Sequence, residues 1–327
     1  MGMTRRDFGQ RVRAALAARG VSIRAASRAI NYDHALLSRV MSGKQTPSVE
    51  FASALDTYLG AEGTLTELAR AMSADDYDRV DRVLNNPGRL DERTVEALAD
   101  SLTSQRRLDD VLGPQPLIVS TEASTAMYTG LLRDARGAHR DRLAEVVAEM
   151  VQFTGWLHAS ARNDTRALLL LIDAADMARD IGSGTLLAQA RNFCGYVARQ
   201  QGRFDDAAKW FGAAYQTRGA HTAQRMGDAA QTAQGLAKMG RAGEARRLLD
   251  EAASLADGTR DTPPRTAYWL TGDFQRLNLG IAHLSLGDYS DAAAHLQAGL
   301  DGLPADQKNA VWNAEYREAL RAAKAHI

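Results

Sequence analysis

Gly202-Arg203-Phe204-Asp205-Asp206-Ala207-Ala208 returns further down the chain as Gly287-Asp288-Tyr289-Ser290-Asp291-Ala292-Ala293. Around each word the same residue sizes keep the same offsets. Gly195, Ala198, Gly202, Ala207, Phe211 and Ala214 reappear as Ala233, Leu236, Gly240, Ala245, Leu249 and Ala252, then as Gly280, His283, Gly287, Ala292, Leu296 and Gly299. A weaker copy reads Gly155, His158, Arg162, Ala167, Leu171 and Ala174. Small residues let two helices cross closely, the glycine turns the chain between them, and the large residue fills the seam. Stacked helix pairs are therefore expected from about residue 119 onward. Thr262-Pro263-Pro264 marks a loop before the last copy, and 308–326 a closing helix over the final apolar face.

Composition agrees with an all-α chain. It has 327 residues, 45% of them hydrophobic, enough for a sizeable core, and only seven prolines. A single cysteine, Cys194, excludes a disulfide framework and a cysteine-rich zinc module, and fits a reducing compartment. Met1 to Asp7 leads into no apolar stretch, and the longest aliphatic run, Leu168 to Ile172, is far short of a membrane span. A cytoplasmic protein with no membrane partner is expected.

Forty basic side chains balance forty acidic ones, but unevenly. Met1 to Pro47 carries nine basic residues against Asp7 and Asp33, so a surplus of seven positive charges sits on the first 47 residues. A compact basic end on an acidic body is the electrostatic footprint of a nucleic-acid-binding domain; arginine as a mere helix-surface residue is the plainer alternative.

Local signals cut that basic end into short helices. Phe8, Val12, Ala15 and Leu16 keep helical spacing up to Gly20. Ser22 is placed to cap a helix over 23–30 with Ala26 and Ile30 inward, Asn31 suits a left-handed turn, and Asp33 caps a helix over 34–41 with Leu37 and Val40 inward. Ser42-Gly43 stops it, and Pro47-Ser48 opens a helix carrying Phe51, Leu55 and Leu59. Two short helices joined by a tight turn in a unit of about sixty residues form helix-turn-helix organisation. On the third helix His34, Ala35 and Ser38 project opposite Leu37 and Val40, with Arg39 beside them, placed for base edges or phosphates; Arg24, Arg28 and Lys44 suit phosphates. Leu36 reads as a packing residue.

Ser38-Arg39-Val40-Met41-Ser42-Gly43-Lys44-Gln45-Thr46-Pro47-Ser48, with Ser22 upstream, resembles the helix-turn-helix of XRE-family, lambda-repressor-like regulators. The chain departs from that pattern at Ala26, Ser27 and Asn31, where the family carries Leu, Ala and Gly. The resemblance covers about residues 8 to 70. The downstream repeats resemble divergent tetratricopeptide repeats, their copies starting at 155, 195, 233 and 280, further apart than the ideal ~34 residues. Together they resemble RRNPP-like regulators of actinobacterial type. That resemblance implies an N-terminal DNA-binding domain followed by a right-handed tetratricopeptide superhelix, a double-stranded operator, a homodimer, and a peptide or small-molecule effector in the repeat groove.

The expected division is 1–71 helix-turn-helix domain, 72–118 helical connector and 119–327 repeat domain for dimerisation or ligand binding. In the connector Asn85-Asn86-Pro87-Gly88 signals a turn, Asp91 or Glu92 starts a helix over 95–108 with Leu98, Leu102 and Leu108 on one side, and Gly113-Pro114 ends it. Counting from the repeat anchors, Gln152, Trp156, Gln189, Asn192, Tyr196, Arg199 and Gln234 should line the groove, where amides and an arginine beside aromatics suit a peptide backbone or carboxylate. Asn192 and Arg199, about two helical turns apart, are the best pair.

There is no Gly-x-Gly-x-x-Gly, P-loop or Gly-x-Ser-x-Gly. The seven histidines never pair at metal-ligand spacing. No cofactor, metal or enzymatic activity is expected, and Cys194 reads as buried and inert. The sequence points to a sequence-specific transcriptional regulator. The alternative is a protein-interaction scaffold with a non-specific or vestigial helix-turn-helix.

Overall fold

The computed structural model describes residues 5–61, 63–258, 263, 267–305 and 307–327, and among these every regular element is helical. The chain divides into two compact units, Met1–Ala97 and Leu98–Ile327.

The first unit contains α1 (Arg5–Ala18), α2 (Ile23–Ala29), α3 (His34–Met41), α4 (Val49–Leu59), α5 (Thr64–Asn85) and the start of α6 (Glu92–Leu112). Its caps are local and chemical. Ser22 Oγ accepts from the Ala25 N–H at 3.2 Å, Asp33 Oδ1 from Ala35 at 3.0 Å, and Ser48 Oγ from Phe51 at 3.1 Å. Asn31 takes φ +56°, the left-handed turn between α2 and α3. Phe8, Val12, Leu16, Ala26, Ile30, Leu37, Val40, Phe51, Leu55 and Leu59 form one core, with Leu36 packed on its edge. Ser27 lies in that core, where its hydroxyl donates to the Arg24 carbonyl at 3.2 Å, so the polar group is satisfied. Asp56 is also buried. Burial alone would raise its pKa, but the hydrogen bonds from Thr66, Gly63 and Leu65 at the start of α5 outweigh it and hold the carboxyl below its usual range.

The second unit continues α6 and adds α7 (Ile118–Asp134) and α16 (Ala314–Lys324) around four helix pairs. These are α8 (Arg140–Ser160) with α9 (Asp164–Asp180), α10 (Gly184–Gln200) with α11 (Phe204–Tyr215), α12 (Thr222–Lys238) with α13 (Ala242–Gly258), and α14 (Gly272–Leu286) with α15 (Tyr289–Gly302). Each pair is one sequence copy. The seams are as tight as the spacing requires: a Cβ on Gly155 would stand 2.9 Å from Leu171, on Gly195 2.8 Å from Phe211, and on Gly280 2.5 Å from Leu296. Gly202, Gly240 and Gly287 turn the chain with positive φ, and in the weaker copy Arg162 is forced into the same conformation at φ +63°.

Two expectations are corrected. The connector helix ends at Leu112, not 108, and Leu108 is 45% exposed while Leu98 and Leu102 are buried. At about 100° per residue, Leu108 falls off the stripe that Leu98 and Leu102 begin, and Arg106 and Asp109 continue it. The closing helix starts at Ala314 after a short 3₁₀ turn, Val311–Asn313, and packs on α15 and α14. The boundary between the two compact units falls within α6, between 97 and 98. Thr262 and Pro264 of the expected loop lie outside the described residues.

Candidate functional site

Two places carry chemistry, one in each unit. In the first, the caps on α2 and α3 fix which faces look outward. Leu37, Val40 and Met41 hold one side of α3 in the core. His34, Ala35, Ser38 and Arg39 are exposed on the other, as two rows with i, i+4 spacing. Arg24, Arg28 and Lys44 are exposed as well, and none of these four cations makes an ion pair among the described residues. Arg39 is oriented: its Nε donates to Gln45 Oε1 at 2.9 Å, which leaves both Nη groups without a protein partner among the described residues. Gln45 was not singled out by the sequence; its place six residues after Arg39 in the Gly-Lys-Gln turn was the available signal.

In the second unit the first helices of the pairs, α8, α10, α12 and α14, wall a concavity of about 890 Å³, its solvent mouth included. Of the groove residues expected from sequence, Trp156, Gln189, Asn192, Tyr196 and Arg199 line it. Gln152 and Gln234 do not. Gln152 is fully buried and its Nε2 donates to the Leu186 carbonyl at 3.1 Å, tying α8 to α10. Gln234 stands behind Arg199, accepting from its Nη1 at 3.3 Å.

Arg199 and Asn192, expected to meet a ligand, already have partners in the fold. Arg199 Nη2 donates to Glu315 Oε1 at 2.7 Å, so a ligand carboxylate would have to displace a protein carboxylate. Asn192 Nδ2 donates to Asp228 Oδ1 at 2.6 Å, leaving its own Oδ1 without a partner among the described residues.

Asp228 has no exposed surface, and its partners are the neutral amides of Asn192 and Gln224. Burial pushes its carboxyl up to about 8 against the pull of those two amide donors. In the unfolded chain it would ionise near 3.8, the ordinary aspartate value. Across that interval the folded form holds the extra proton, so stability is full below the lower value and falls as pH rises toward the upper one. Asp228→Asn, which mimics the protonated acid, is expected to raise the melting temperature of the body at pH 8, with the advantage shrinking at about pH 5. An advantage that grows on acidification would contradict the assignment.

Sequence reasoning missed the other half of the wall. Arg106, Asp109 and Asp110 come from the last turns of α6, Tyr268, Trp269 and Leu270 from the segment before α14, and Trp312 from the turn before α16. Trp156 Nε1 donates to Asp109 at 2.8 Å, Tyr268 Oη to Asp110 at 2.5 Å and Trp312 Nε1 to Asp110 at 3.3 Å. Trp156 also packs on Phe193 and Tyr196 with ring centroids 5.1 and 5.2 Å apart. The signal was the α6 stripe itself, where Leu98 and Leu102 give way to Arg106 and Asp109 on the same buried face. Cys194 lies near this cluster but is buried, and desolvation pushes its thiol up to about 12, which suits packing rather than nucleophilic chemistry.

Residues 7–69 match the family model of a helix-turn-helix domain. No curated protein matches the chain. Among solved structures, the crystal structure of Bacillus thuringiensis PlcR in complex with the peptide PapR7 and DNA is similar at 12% identity and a TM-score of 0.32, over 77% of this chain and 95% of that one. Among the described residues no helix is long and apolar enough to cross a membrane. Residues 7–69 thus form a helix-turn-helix domain, and the body that follows is built of paired helices in a repeat-like order.

Proposed function

We propose that this protein is a sequence-specific, DNA-binding transcriptional regulator whose repeat body dimerises and senses a peptide or small molecule in its aromatic concavity. The observation that carries the reading is the outer face of α3. His34, Ala35, Ser38 and Arg39 stand exposed on a helix-turn-helix domain, flanked by Arg24, Arg28 and Lys44 without ion-pair partners among the described residues. Unpaired cations are what phosphates require, and the free Nη pair of Arg39 matches the two acceptors of a guanine edge. In a dimer, two such helices would read half-sites about 34–36 Å apart. The body would bias one dimer geometry through a ligand that binds it better than the other.

Selection from fragmented genomic DNA at physiological salt tests this directly. A short two-fold motif is expected, with a large affinity ratio over random DNA. Uniform, salt-sensitive retention with no enriched motif would instead favour a scaffold whose helix-turn-helix has no operator. On the selected site Arg39→Ala is expected to cost about 1–3 kcal/mol, roughly a 5- to 150-fold loss, and to relax preference at one base pair. An equal loss on random and selected DNA would make Arg39 a phosphate contact only.

A further inference from the structure

The charges of the body's concavity fall into two sets. Arg199 is matched by Glu315 at 2.7 Å and Arg106 by Glu149 at 3.4 Å. Each guanidinium also lies over rings, Arg199 5.6 Å from Tyr196 and Arg106 5.3 and 5.4 Å from Phe153 and Trp269. Arg199 is therefore held closely by a protein acid, while Arg106 has Glu149 at a longer distance and two ring faces. Asp109 is different: it is 7% exposed, and its direct hydrogen-bond partner is a neutral indole N–H. Asp110 follows it, so two adjacent buried carboxylates sit in the last turn of α6, which carries no basic residue. That end of a helix already bears the negative pole of its backbone dipoles, where acids are unfavourable and cations are stabilised. The ring face of Trp156 beside Asp109 is negative as well, while the faces of Trp269 and Tyr268 already carry Arg106 and, at 3.8 Å, Arg107. Asn192 adds a carbonyl oxygen with no protein partner among the described residues. A local rule broken this thoroughly, at a cavity, marks a binding site rather than a scaffold element.

We propose that this concavity binds a small organic cation, an ammonium head group seated on the Asp109 carboxylate at the end of α6 with an aromatic or alicyclic body stacked among Trp156, Phe193 and Trp269. The inference rests on reading the concavity as the sensing site, and narrows its ligand to one charge class. An anionic ligand at Arg199 would have to break its pair with Glu315, whereas an ammonium can share the Asp109 carboxylate with the Trp156 N–H. Burial pushes the Asp109 carboxyl up to about 6, with the Trp156 bond, neighbouring Asp110 and Arg106 acting more weakly. An entering ammonium offsets that cost of burial.

Calorimetric titration of the full-length protein at neutral pH with tryptamine, tryptophol and indole-3-acetate presents one ring system with three head-group charges. A second series of phenethylamine, phenethyl alcohol and phenylacetate repeats it with a smaller ring. In at least one series the amine is expected to bind about tenfold or more tightly than the alcohol, and the acid most weakly. Asp109→Asn, which keeps an acceptor for the Trp156 N–H, is expected to lower amine affinity about tenfold and leave the alcohol unchanged. If that variant melts early, the two series on the unaltered protein decide alone. An alcohol or acid that binds as tightly as its amine overturns the proposal, and so does the absence of binding by every member at millimolar concentration. Operator affinity measured in parallel separates the two readings. An amine that binds without changing operator affinity refutes sensing and leaves the cation site standing. An acid that binds and changes it does the reverse.

Discussion

Gly9→Ala should unfold the DNA-binding unit well below the temperature at which the parent chain loses it. Gly9 lies inside α1, where alanine would ordinarily raise helix stability by about 1 kcal/mol. Here an added Cβ would stand 2.2 Å from the carbonyl oxygen of Met41 and 2.8 Å from its carbon, both backbone atoms of the last residue of α3. No rotamer can relieve that contact; the two helices must move apart. The same carbonyl accepts from Arg13 Nη1 at 2.7 Å, so the movement also breaks the bond that ties the end of α3 to α1. Overpacking costs about 1–3 kcal/mol where side chains can yield and more where they cannot, so the steric cost exceeds the propensity gain. In a domain of this size each kcal/mol is worth roughly 4–8 °C. Hydrogen exchange should show the loss in α1 to α4, and operator affinity should fall with it because α3 is displaced. Gly130→Ala in α7, where an added Cβ meets nothing within 4 Å, should be neutral or stabilising. Equal melting of Gly9→Ala and the parent chain would show that α1 and α3 do not approach as described.

Gly9 illustrates where the sequence stops being readable. The caps at Ser22, Asp33 and Ser48 and the left-handed Asn31 are legible because each acts within three residues of itself. The repeat pairs are legible because a small residue and its large partner recur at a fixed offset, which is how Gly195 and Phe211 announce each other. Gly9 and Met41 belong to helices brought together only by tertiary packing, with no repetition to reveal them. The concavity is half legible for the same reason. Trp156, Asn192, Tyr196 and Arg199 lie on repeat helices whose inward faces can be counted, whereas Asp110, Tyr268 and Trp312 meet across most of the body's length from segments outside the repeat. Arg199 was read as a receptor for a carboxylate, and it does hold one. The carboxylate is Glu315, from the closing helix, which no local pattern connects to α10.

Removing that carboxylate is the second large effect. Glu315→Ala is expected to destabilise the body by about 3–5 kcal/mol, and Arg199→Met by clearly less, although the latter deletes the larger polar group. The asymmetry comes from which charge is left in which surroundings. The Arg199 side chain is 6% exposed and the Glu315 side chain 28%. Without Glu315 the guanidinium keeps the Gln234 oxygen at 3.3 Å and the faces of Tyr196 and Phe211, but no anion at hydrogen-bond distance and little water. Its Nε is already buried without a hydrogen-bond partner among the described residues. Without Arg199, Glu315 can turn to solvent and still accepts from Gln200 Nε2 at 2.8 Å. The double variant should recover most of what Glu315→Ala loses, because a buried pair replaced by apolar groups is often close to neutral. Urea denaturation of the four proteins gives the cycle, and Arg199→Met proving the more damaging single change would invert the burial argument. Acetate at tens of millimolar should restore part of the stability of Glu315→Ala and none to the parent chain, since only the variant presents a guanidinium with an empty carboxylate site. That rescue also bears on the ligand. The unaltered body has no such vacancy at Arg199, so a carboxylate ligand proposed for the concavity would have to displace Glu315.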